Sequence, residues 1–134
     1  MSADSRTTAG ILLLTIVAIE YGGWFLTRIV RGRVPMTDFQ KSFARAGHGH
    51  AGVLVILGLL CQLFADATHL HGFAATVARG GVPLAAILMS AGFFVSSAGR
   101  GAVQQPNKLI GLVWLGALSL AAGVVTLGIG LLTA

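Results

Sequence analysis

A chain of 134 residues is one domain by length, but 55% of it is hydrophobic and only 10% charged, which excludes an ordinary soluble globule. The net charge of +5 does not indicate nucleic acid, because the basic residues are divided among the connections between apolar runs. Cys61 is the single cysteine, so no internal disulfide can form.

The apolar runs are long enough to cross a hydrocarbon layer, which takes about 20 helical residues. A spanning backbone satisfies its own hydrogen bonds only as a helix or a closed barrel, and these continuous runs lack barrel alternation. The first run covers about 10–27. A signal peptide here is disfavoured, since no A-x-A-like cleavage site follows and Glu20 interrupts the run. The first connection, "RIVRGRVPMTDFQKSFAR", is punctuated by Gly32 and Pro35, and its "TDFQKSF" can start a short interfacial helix capped by Thr37 or Asp38.

The second run covers about 44–65 and contains Cys61. After it, "DATHLHGFAATVARGG" reads as a loop ending at Gly80, Gly81 and Pro83, with the proline in the first turn of the third run, about 82–98. The polar "GRGAVQQPNK" then leads past Pro106 into the fourth run, about 109–132. Residues 1–134 therefore form one all-α domain, an integral membrane four-helix up-down bundle.

Charge orients the bundle. Arg28, Arg31, Arg33, Lys41 and Arg45 flank the first connection and Arg100 and Lys108 the third, whereas the opposite side has only Arg6 and Arg79. Lysine and arginine stay on the cytoplasmic side, so the expectation is a multi-pass protein of the cytoplasmic membrane with both termini extracytoplasmic. The basic loops can also touch anionic lipid.

Small and polar residues mark the faces that meet. Gly116, Ser119, Gly123, Thr126 and Gly130 recur at steps of three and four, which puts them on one face of the fourth helix and makes it a helix-packing stripe. Ala86, Ser90, Phe93 and Ser97 do the same in the third run, as do His48, Gly52, Val55, Leu59, Gln62 and Asp66 in the second. A homo-oligomer through the fourth-run stripe is expected.

Chemistry can reside in few groups. Glu20 lies roughly 12 Å from the cytoplasmic end of its run and His48 and His50 roughly 6 to 9 Å from theirs, at 1.5 Å rise per residue. An ionisable residue inside a membrane faces the bundle or water and usually has a partner. A buried cluster of Glu20 with His48 is therefore expected, with His50 and Tyr21 as further candidate cofactor-binding groups. His48 and His50 point about 200° apart on one helix, so they cannot share one ion unless the helix is unwound there. Imidazole and carboxylate suit a divalent metal such as zinc, iron or manganese, and they can equally relay protons. The plain alternative is a buried hydrogen bond that sets helix register.

Asp66, His69 and His71 form a second candidate, a loop metal site of the pattern Asp-x-x-His-x-His, set against ordinary solvated loop residues. Ser96, Ser97, Arg100 and Gly101 could cradle an anion, but at a helix C-terminus whose dipole disfavours one. Trp24 and Trp114 read as packing or interfacial anchors. No G-x-G-x-x-G, P-loop or nucleophile elbow is present, so nothing in the chain indicates an enzyme.

In "EYGGWFL", "RAGHGHAGVL" and "LGIGLL" the chain resembles small bacterial four-span membrane proteins. That likeness implies a topology and no activity. "HGHAG" also resembles a histidine-bearing span in the catalytic subunit of haem-copper oxidases and nitric oxide reductases, where such histidines ligate haem or metal. The likeness covers one helix, and the other three runs contain no histidine, which argues against oxygen or nitric oxide reduction by this chain alone. It leaves open a haem b held between two copies by His48 or His50.

Three roles follow. The first in order is an accessory or structural subunit of a larger membrane complex. The others are a haem- or metal-binding membrane protein and a proton-coupled transporter or small channel.

Overall fold

The computed structural model describes residues 1–99 and 101–134; Arg100, one of the anion-cradle candidates, lies outside the described residues. Four long helices carry the chain: α1 (Ala3–Val30), α2 (Asp38–Ala65), α3 (Gly72–Ser96) and α4 (Gly111–Leu132), the last entered through a 3-10 turn at Lys108–Ile110. No strand occurs among the described residues. All four helices are long and apolar enough to cross a membrane, and the chain is a small multi-pass membrane protein.

Three helices start well before the apolar runs do, for local reasons. Ser2 caps α1 by accepting from the Ser5 backbone N–H at 3.2 Å. Thr37 and Gln40 form a reciprocal capping box at the start of α2, at 3.2 and 3.1 Å. "TDFQKSF" is therefore not a separate interfacial helix; it is the opening of α2 itself. The expected second loop is mostly helix as well. Ala75, Ala78 and Val82 recur at helical spacing and are buried, so "FAATVARGG" builds the first turns of α3 and Pro83 sits well inside that helix.

At its other end α1 stops in a Schellman motif. Arg33 donates to the Arg28 carbonyl at 2.9 Å and Gly32 to Ile29 at 3.0 Å. The reversal needs φ of 69° at Gly32, a left-handed conformation that costs glycine nothing.

The helices pack in chain order, α1 on α2, α2 on α3 and α3 on α4, with a minor contact between α2 and α4. The closest approach is between α3 and α4. A Cβ at Gly81 would lie 2.7 Å from the Cα of Gly123, so only glycine allows the two backbones to touch there. Ser119 Oγ donates to the Gly81 carbonyl at 2.8 Å beside this contact. Gly116 fits against Met89, Gly130 against Leu70, and Thr126 is half-buried. This face of α4 lies against α3 and Leu70 of the same chain. An oligomer built on that stripe, as expected above, has no free stripe to use.

Loop residues tie the helix ends. Thr37 Oγ1 donates to the Val103 carbonyl at 2.6 Å, and Gln40 Nε2 to Ser97 and Gly99 at 3.1 and 3.2 Å. Asn107 Nδ2 donates to the Val95 carbonyl at 2.9 Å. The first and third connections are therefore joined by hydrogen bonds.

Candidate functional site

The residues of "EYGGWFL" and "RAGHGHAG" do meet, though not as expected. His48 turns toward α1 and its ring lies on the two glycines there: a Cβ at Gly22 would stand 3.3 Å from Nδ1, and one at Gly23 3.4 Å from Nε2. The pair Gly22-Gly23 is the notch that accepts the imidazole. Among the described residues, neither ring nitrogen of His48 has a hydrogen-bond partner, whereas His50 Nδ1 lies 2.8 Å from the Ala46 carbonyl. The His50 ring packs on Phe93 of α3 at 4.9 Å between centroids. The two histidines thus flank α2 on opposite sides, as their spacing requires.

Glu20 does not join His48. Its depth is suitable but its rotation is not, because it sits about 200° around α1 from Gly22, the residue that receives the ring. Glu20 is exposed on the outer surface of α1, next to Tyr21, which is also exposed. The buried Glu20–His48 cluster is therefore corrected: no charged side chain is buried among the described residues.

The second candidate also rearranges. Asp66 accepts from the Ser2 backbone N–H at 2.7 Å, Ser5 Oγ at 2.8 Å and Arg79 Nη2 at 3.3 Å, while Arg79 Nε donates to Ser5 Oγ at 3.2 Å. Burial pushes the Asp66 carboxyl up, but these hydrogen bonds outweigh it and hold the group well below its ordinary 3.8. The carboxylate is thus engaged by an arginine and two serines, and His69 and His71 are exposed beside it. No group of three His, Cys, Asp or Glu side chains close enough to hold a metal ion occurs among the described residues. The polar cluster instead joins the start of α1, the end of α2 and α3.

A cleft of about 330 Å³ runs between α1 and α3 over α2. On α1 its lining extends from Thr8 to Gly22, and His48 stands at the Gly22 end. Among the described residues no charged side chain lines it. Ile11, Ile87 and Phe94 on its walls are exposed, so it opens on the outer surface of the helices.

Sequence reasoning placed Gln62 on the inward stripe of the second run, where it is fully buried, but gave it no partner. Its Nε2 donates at 2.9 Å to the carbonyl of Arg79, the acceptor that Pro83 leaves without its i→i−4 donor. The signal was present, since a buried glutamine and a proline in a neighbouring helix are complementary. Ser5 was missed because it precedes the apolar run, although "SADS" has the residues of a helix start.

No known family model, curated protein or solved structure matches this chain.

Proposed function

We propose that the protein is an accessory or structural subunit of a larger complex in the cytoplasmic membrane, docked to another membrane protein through the outer face of α1. The observation that carries this reading is the outward position of Glu20. A carboxylate within a spanning segment is costly against lipid and takes its place facing protein or water. Here the protein it faces cannot be its own chain. α1 is also the least covered helix, burying only Ser5, Leu12 and Ile29, and Val17, Tyr21 and Trp24 are exposed on the Glu20 side.

The partner is a membrane helix with a hydrogen-bond donor or cation opposite Glu20. A symmetric pair of α1 helices would instead bring two carboxylates together in apolar surroundings, which favours a different partner over a second copy. The course of the chain is up-down-up-down with both termini extracytoplasmic, supported by the charge asymmetry and by the bonds between the first and third connections.

The experiment is photocrosslinking in native membranes from a benzophenone amino acid at Val17 or Tyr21. The expected result is an adduct with one distinct membrane protein that weakens in Glu20→Leu. Recovery of self-adducts alone, or of none, overturns the reading.

A further inference from the structure

We propose that the cleft between α1 and α3 binds a neutral lipid-soluble molecule with a linear apolar tail and a hydrogen-bonding oxygen at its head, the class that includes membrane quinones and isoprenoid alcohols, with that oxygen at His48.

The shape of the cleft selects the tail. Its lining on α1 runs from Thr8 to Gly22, about 21 Å at 1.5 Å per residue. A volume of about 330 Å³ spread over that length is narrow, and it lies at the small end of ligand cavities, which run from about 300 to 1,000 Å³. Such a space takes a chain or a single ring with a chain. The exposed Ile11, Ile87 and Phe94 put the open side against acyl chains, so the ligand enters from the bilayer.

The polar end is selected by His48. A neutral imidazole offers one N–H donor and one acceptor, so it can meet either a carbonyl or a hydroxyl. The ring is held in place by the Gly22-Gly23 notch, and no side chain among the described residues uses its nitrogens. Among the described residues no cation lines the cleft to receive a phosphate, which disfavours a phospholipid headgroup. Glu20 is not among the lining residues, so the proposal is independent of the docking face.

The test reconstitutes the full chain in phosphatidylcholine nanodiscs and titrates decylubiquinone and farnesol, with occupancy read by native mass spectrometry. At least one probe is retained by the wild type, with occupancy falling at least ten-fold in His48→Ala and recovering in His48→Gln, which keeps a donor. Ala18→Phe blocks the cleft from its exposed rim without touching the core, and abolishes retention even if His48→Ala does not fold. The probe that shows the His48 dependence identifies the source of the oxygen. Equal occupancy in wild type and Ala18→Phe, equal occupancy in wild type and a folded His48→Ala, or retention of neither probe above the phosphatidylcholine background overturns the proposal.

Discussion

Gln62 of α2 serves a backbone defect in α3: its amide donates at 2.9 Å to the Arg79 carbonyl, four residues before Pro83. The proline has no N–H to give, so a side chain from the adjacent helix replaces the missing donor at this part-buried carbonyl. The same amide also reaches the Gly58 carbonyl of its own helix at 3.1 Å, which fixes its rotamer.

This relation predicts coupling between two positions that do not bond directly. Gln62→Leu should destabilise the fold by about 1 to 3 kcal/mol, the cost of an orphaned acceptor between packed helices. In a Pro83→Ala background the backbone supplies its own donor, and the same change should cost clearly less. A double-mutant cycle in a reversible detergent unfolding assay measures the difference, and strict additivity would refute the relation.

The contact between α3 and α4 predicts a sharp contrast among glycines. Gly81→Ala puts a methyl 2.7 Å from the Cα of Gly123, where backbone cannot yield, so the helices must separate at a cost of about 1 to 3 kcal/mol. Gly128 has nothing within 4 Å of its Cβ position. Gly128→Ala should be neutral or slightly stabilising through helix propensity. Thermal unfolding of both variants in one detergent checks this.

Asp66 predicts an acid limit. Its folded-state carboxyl titrates below the ordinary 3.8, so it contributes stability above that value and loses it as pH falls toward the folded pKa. The wild type should weaken below about pH 4, the ordinary carboxylate range. Asp66→Asn should be less stable at neutral pH and lose part of the acid dependence. Unfolding midpoints at pH 7 and pH 3 for both proteins decide it.

The proposed orientation predicts opposite labelling of two exposed loop positions. In a Cys61→Ala background, a cysteine at His69 should react with an impermeant maleimide in intact cells and one at Gln104 only after lysis. The reverse pattern would invert the topology. Both residues are exposed, so access is limited by the membrane alone.

The membrane-spanning helices and the small-residue face of α4 were legible in the residues alone, because hydrophobic length and a three-four repeat are properties of a single segment. So was the fact that His48 and His50 point apart. Tertiary structure decided the rest. Depth along a helix can be read from residue count, but the rotation of one helix against another depends on which side chains fit, and the Gly22-Gly23 notch turned Glu20 outward and the imidazole of His48 into a cleft. The fate of Asp66 was decided the same way. Its partners Ser5 and Arg79 are distant in sequence, and only the packing of three helix ends brings them to one carboxylate.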